Sequence, residues 1–220
     1  MENTTWNLWR DFCRQTNREY QWGNKVLQIL NSLNLLPVDT VLDVGCGTAE
    51  FSCCFKSRCQ TLLGIDTVDY RTACDLHFYN TGFENYRGPV PNILLFKQSF
   101  HLIPNIWTVL EKYPTSTTVL LQAPKPSWQE NTIEWNTIPL CIKSNQEVFE
   151  AMGKQTHLYN ETIEFALKSS FYKELILGGF TSDLQKLDIK QRLDVWDSLR
   201  ITNDEILYKD DLNILVVCNK

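Results

Sequence analysis

The chain has 220 residues, 43 % of them hydrophobic and 21 % charged, with a formal net charge of −5. That length suits one α/β domain with a small cap, and the composition excludes a disordered chain. The acidic balance gives no global electrostatic case for nucleic acid or an anionic membrane surface as partner.

The amino-terminal residues MENTTWNLWRDFCRQ carry no apolar core of the signal-peptide kind, and no later run approaches the roughly 20 apolar residues of a membrane span. The expectation is a cytoplasmic chain with no membrane partner. Residues 4–20 read as a helix, with Trp6, Trp9, Phe12, Cys13 and Tyr20 largely three or four apart along one side. Residues 24–35 form a second amphipathic helix through Val26, Leu27, Leu30 and Leu33, closed by Pro37. The β-branched run 40–44 reads as a buried parallel strand. A helical pattern over 48–58 follows, then a strand over 61–65 with Asp66 at its carboxyl end. Further strands are expected at 76–79, 93–96 and 117–121, with a helix over 104–112. Strands alternating with helices in this way give a doubly wound sheet.

Past Pro124 the rhythm breaks. Residues 124–144 hold three prolines and two tryptophans, Trp128 and Trp135, without a period; loops of that length often serve as lids. Helices near 145–155, 168–178 and 184–199 and strands at 162–166 and 212–218 complete the chain. No linker demands a second independent domain, so 1–220 is read as one domain, with 1–35 as a helical cap and 124–200 as a lid loop with helices.

Eight cysteines, at 13, 46, 53, 54, 59, 74, 141 and 218, form no CxxC pair, and the three histidines (77, 101 and 157) have no regular ligand spacing. No metal site is expected, and the thiols read as reduced, small core residues.

The most informative stretch is Val41-Leu42-Asp43-Val44-Gly45-Cys46-Gly47-Thr48-Ala49-Glu50-Phe51, a strand leading into a glycine-rich turn and then a helix. Glycines there let the backbone approach a ligand closely, and a helix start offers amide donors. Asp66, 21 residues beyond Gly45, is placed to accept hydrogen bonds from both hydroxyls of a ribose. Two nucleotides compete for such a turn. A dinucleotide wants GxGxxG, whose third glycine is here Glu50, a carboxylate close to where a pyrophosphate would lie. Asp43, two residues before the first glycine, instead suits a cationic ligand. S-adenosylmethionine carries a sulfonium and an ammonium and no phosphate.

LDVGCGTAEFS resembles the first motif of class I S-adenosylmethionine-dependent methyltransferases, LLGIDTVD resembles the second, and residues 91–101 are similar to the family's fourth strand and its sequel. The resemblance implies a Rossmann-like, seven-stranded sheet whose last strand runs antiparallel, matching 212–218, with a small helical and loop cap. It also implies roles. Gly45, Cys46 and Gly47 would line the methionine part of the cofactor, with Asp43 fixing the turn or meeting the ammonium. Asp66 would hold the ribose with Thr67 beside it, Phe83 would pack on adenine next to Gly82, and Lys97 or Gln98 would close over the methionine. The sequence departs from the pattern at Ala49, Gly82 and Asn92, and only about nine residues separate Asp66 from the third strand.

Around this frame, His101 is a candidate base just past the fourth strand, or else a helix cap. Arg10, Arg14 and Arg18 recur every four residues; Arg18 either meets a cofactor carboxylate or belongs to a solvated helix face. Trp6, Trp9, Tyr20 and Trp22 roof a substrate or fasten the first helix to the sheet. Trp128 and Trp135 form an aromatic wall or anchor their loop. Cys46 reads as a small packing residue before a nucleophile.

The fourth strand lacks the Pro-Pro-aromatic sequel of nucleic-acid amino methyltransferases. No basic stripe with interleaved aromatics tracks the site, and no acid cluster suggests magnesium. The expectation is methyl transfer to N or O of a small molecule. An RNA or protein substrate, or a catalytically silent partner subunit, stay open as alternatives.

Overall fold

The computed structural model describes residues 4–71, 75–123, 142–179, 184 and 186–219. Among these, seven strands form one sheet: β1 (Val38–Val44), β2 (Cys59–Asp66), β3 (His77–Asn80), β4 (Ile93–Lys97), β5 (Thr117–Gln122), β6 (Gln155–Lys168) and β7 (Glu205–Cys218). Their order across the sheet is β3-β2-β1-β4-β5-β7-β6. The pairs β1/β2, β1/β4, β2/β3 and β4/β5 are parallel, whereas β7 runs antiparallel to β5, with Leu120 opposite Leu215. The sequence-predicted sheet and its reversed last strand are both present. Helices are α1 (Thr4–Thr16), α2 (Arg18–Ser32), α3 (Ile106–Leu110), α4 (Ile142–Ala151), α5 (Ser169–Gly178) and α6 (Ile189–Ser198).

The chain forms two compact units from interleaved segments. The larger holds Trp22–Glu161 and Asp211–Lys220, the smaller Met1–Gln21 and Thr162–Asp210. In the larger unit the central strands are apolar on both faces, as strands covered on two sides must be: Val41–Val44, Leu62–Ile65 and Ile93–Phe96 are buried throughout. One core cluster runs through rings in edge-on contact, Phe83 to Phe96 to Phe100 to Trp107 to Phe149, with centroids 5.2 to 5.5 Å apart. From Trp22 onward, α2 buries Trp22, Val26, Ile29 and Leu30 at helical spacing. It approaches the segment after β1 so closely that a Cβ at Gly23 would stand 2.5 Å from the Phe51 carbonyl and 2.6 Å from Cys54 Sγ.

That contact explains one departure from expectation. The gap expected between 4–20 and 24–35 lies inside α2, and the break falls instead at Asn17, whose φ of 53° is left-handed, a region asparagine tolerates. The expected helix over 48–58 is reduced to a 3-10 turn, Ser52–Ser57, because Ala49 holds φ 63° and interrupts the right-handed run. Strands β6 and β7 extend well beyond 162–166 and 212–218, since Ile163, Phe165 and Leu167 alternate inward against outward Glu164, Ala166 and Lys168. Cys53 is disulfide-bonded, which corrects the expectation of reduced thiols throughout. The neighbouring Cys54 is turned into the core while Cys53 stays half-exposed and reachable.

In the smaller unit Phe12 lies edge-on to Phe165 and Tyr208, at 6.0 and 5.3 Å, and Tyr172 packs on Tyr208. Asp188 and Gln191 close a reciprocal cap at the start of α6. The Arg192 guanidinium gathers the carbonyls of Leu177, Leu184 and Leu187. At the start of α2, Arg18 is 1 % exposed. Its Nε stands 2.7 Å from Asp210 Oδ2, and its other nitrogens reach Asp210 Oδ1 at 3.2 Å and Glu19 Oε1 at 2.8 Å. Burial works against the guanidinium's charge, but the charges of Glu19 and Asp210 outweigh it and hold Arg18 protonated above its ordinary range. Arg18 is therefore an internal counter-ion, which corrects the expectation that it meets a cofactor carboxylate.

Removing one partner of a buried pair strands the other charge, so Arg18→Ala should cost about 3–5 kcal/mol in urea unfolding. Arg18→Ala combined with Asp210→Ala should cost less than the two single losses added.

Candidate functional site

The carboxyl ends of β1, β2 and β4 converge on the turn Gly45-Cys46-Gly47. Gly45 and Gly47 have φ of 73° and 52°. At Gly45 glycine is also required by space, because a Cβ would lie 2.7 Å from that of Ser99, whereas at Gly47 nothing lies within 4 Å and the turn is open. The turn is fastened from inside. The Gly45 and Cys46 amides both donate to the Ile65 carbonyl, at 2.9 and 3.1 Å, and the Ala49 amide donates to the Cys46 carbonyl at 2.8 Å. The Gly47 amide donates to Asp66 Oδ2 at 3.0 Å.

Asp66, the last residue of β2, is half-buried; besides the Gly47 amide on Oδ2 it takes the Val68 amide on Oδ1 at 3.4 Å, and each carboxylate oxygen retains a further lone pair. Thr67 follows it, exposed. Asp43 is buried in β1, in register with Gly64 of β2 and Leu95 of β4. Cys46 is buried, and burial first, then the charges of Asp43 and Asp66, push its thiol well above the ordinary range. It stays protonated, as a packing residue should and a nucleophile should not. Lys97 ends β4 half-buried, its Nζ 6.0 Å from the Phe51 ring. Gln98 turns the chain with φ 57°, its amide donating to Leu121 at 2.9 Å.

His101 lies in the 3-10 turn Phe100–Leu102 directly after β4. It is half-buried, its Nδ1 is buried without a hydrogen-bond partner among the described residues, and desolvation lowers its pKa below the ordinary histidine value. A neutral imidazole with an unfilled polar edge is suited to accept a proton.

Other expected residues fall elsewhere. Phe83 is 3 % exposed, stacked on Tyr113 at 5.2 Å and edge-on to Phe96, so its faces belong to the core and the expectation that it packs on adenine is corrected. Trp22 is wholly buried in the larger unit, which corrects its reading as a substrate contact. Tyr20 is 47 % exposed on α2. Trp128 and Trp135 lie outside the described residues, as do the side chains of Trp6 and Trp9. Gly82 precedes the turn Phe83–Asn85 in extended conformation, and a side chain there would collide with the Glu84 carboxylate folded back over it. In the sequence Glu84 is legible only as the residue that flanks Phe83.

No protein-family model matches the sequence, and no curated protein is similar to it at the level of sequence. Solved structures are similar in fold. Magnesium protoporphyrin IX methyltransferase of Synechocystis PCC 6803, with bound S-adenosylmethionine, matches with a TM-score of 0.54 and 13 % identity over 99 % of this chain and 92 % of that one. A protein of Bacillus halodurans assigned as a methyltransferase gives 0.52 and 14 % over 89 % and 96 %. A protein of Pyrococcus horikoshii assigned as an RNA methyltransferase gives 0.51 and 9 % over 90 % and 83 %. The chain has the Rossmann-like fold that these proteins share.

Because its ionised form is suppressed, Cys46 should resist iodoacetamide at pH 8 in the folded protein, and its labelling rate should climb only as the pH is raised further. Mass-spectrometric footprinting against the urea-unfolded chain reads this directly.

Proposed function

We propose that the chain is an S-adenosylmethionine-dependent methyltransferase that delivers the methyl to N or O of a small molecule by in-line displacement. One observation carries the choice of cofactor: the amides of Gly45, Cys46 and Gly47 are already bonded within the protein. A turn whose donors are engaged makes a poor cradle for a pyrophosphate, which needs several inward-pointing amides. What the turn offers instead is an open approach at Gly47 and two carboxylates, Asp43 and Asp66. That combination fits a phosphate-free nucleoside bearing positive charge.

In this reading Asp66 accepts the ribose hydroxyls with Thr67 beside it. Gly45, Cys46 and Gly47 line the methionine part, Asp43 answers the ammonium through the turn, and Lys97 or Gln98 borders the carboxylate end. Gly82 and the Glu84 carboxylate above it border the base. When bound, S-adenosylmethionine supplies a methyl activated on a sulfonium. The chain's own contribution is orientation, which can account for about 7–11 kcal/mol of a barrier. A neutral amine acceptor needs no more than that; a hydroxyl also needs a base, and His101 provides a desolvated neutral imidazole for it. A small acceptor is favoured by the acidic balance.

Calorimetry with S-adenosylmethionine and with NAD, on the wild type and Asp66→Ala, tests the reading. S-adenosylmethionine should bind and NAD should not, and the substitution should cost about 1.5–3 kcal/mol, as expected for lost hydrogen bonds to a charged group. Binding of NAD alone, or of neither, overturns the proposal. For a hydroxyl acceptor, His101→Asn should lower kcat by about 10²–10⁴. The wild-type rate should rise with pH through a midpoint below the ordinary histidine value and stay level above it, because the neutral ring is the working form. An amine acceptor should leave kcat nearly unchanged in that variant.

A further inference from the structure

Ser99 is buried, and its side chain meets the end of β1 and the first glycine of the turn. Its hydroxyl donates to the carbonyl of Val44, the last residue of β1. Its Cβ fills the space that a side chain at Gly45 would occupy. Its main chain meanwhile opens the turn that carries His101: Ser99 immediately precedes Phe100–Leu102, and its carbonyl accepts the Leu102 amide at 2.9 Å. One residue thus grips the turn after β1 with its side chain and starts the turn after β4 with its backbone. Neither grip has slack. Gly45 is held on the far side by Ile65, and the preceding Gln98 is held by Leu121. A displacement of the glycine turn moves the Val44 carbonyl and the Gly45 Cα together, and both bear on Ser99.

We propose that Ser99 is a positioning residue that registers the His101 turn against the glycine turn, so that what happens at the glycine turn sets the placement of the imidazole. Its catalytic meaning rests on the cofactor reading above; the mechanical link belongs to the fold alone.

The two are separable by NMR on the full chain with isotope-labelled histidine, where His101 is one of three histidine signals and is assigned with His101→Asn. Two perturbations are applied to the glycine turn: Gly47→Ala, which strains it without filling any occupied space, and saturation with S-adenosylhomocysteine. Each should shift the His101 ring signal while Ser99 is present, and each shift should vanish in a Ser99→Ala background. The same substitution should weaken S-adenosylhomocysteine about fivefold, the usual consequence of one lost neutral hydrogen bond. Cooperative urea unfolding checks that the variants fold, and Ser99→Cys, similar in volume with a weaker donor, replaces the alanine if that variant does not. A His101 signal that ignores Gly47→Ala, or moves equally without the serine hydroxyl, overturns the proposal even if the ligand binds. A signal that follows Gly47→Ala only through Ser99, in a chain that ignores S-adenosylhomocysteine, upholds the link and overturns the cofactor reading.

Discussion

The carbonyl of Ile65 accepts two amides at once, those of Gly45 and Cys46, and the arrangement of the sheet's carboxyl edge depends on it. A chain leaving β1 has to reverse direction over the end of β2, and only left-handed residues allow so tight a reversal. Once Gly45 is pinned there, the Gly47 amide falls to Asp66, and the acid at the tip of β2 becomes part of the turn as well as a group that a ligand can meet. The same pinning brings Gly45 against Ser99, so β4 has to end where it does. Three strands are thereby locked at one level by a handful of bonds, none of which involves a charged donor.

Much of this was visible in the residues. The β-branched and apolar runs of β1, β2, β4 and β5 have one stable placement, the middle of a parallel sheet, and the Asp43 to Asp66 stretch announced its turn through glycine spacing. Residues whose roles depend on distant partners were not visible. Arg18 stands in a helical row of arginines that looks solvated, and only the fold brings Asp210, 192 positions away, against it. Phe83 sits beside a glycine in a polar loop, yet Tyr113 stacks on it and removes it from any ligand. Gly23 falls between the two helices read at 4–20 and 24–35, and its function, letting α2 touch the chain at Phe51, leaves no trace in local pattern. Ser99 is silent in sequence for the same reason, since a serine after a strand is ordinary until its hydroxyl is seen on Val44.

Polar groups are placed with a consistent logic. Where a charge is buried, as at Arg18, acids surround it and the cluster holds the start of α2 to β7. At Cys46 and His101 burial works against the charged form, acting on the thiol together with neighbouring acids and on the imidazole alone. The result is a turn region whose sulfur stays uncharged.

The sheet closes on unequal borders. At one side β3 has four residues; at the other β6 runs for fourteen and, among the described residues, pairs with β7 on one flank only. A border strand that long exposes a ladder of unpaired amides and carbonyls, the template on which further chains could add and propagate. Ion pairs guard against this: Glu164 of the outward row holds Lys209 at 3.0 Å, Glu161 of the other row holds Lys25 at 2.9 Å, and Lys168 ends the strand. An incoming strand would have to strip water from those ion pairs before it gained its first hydrogen bond. The alternation that buries Ile163, Phe165 and Leu167 therefore also serves, on its other face, as a guard against polymerisation.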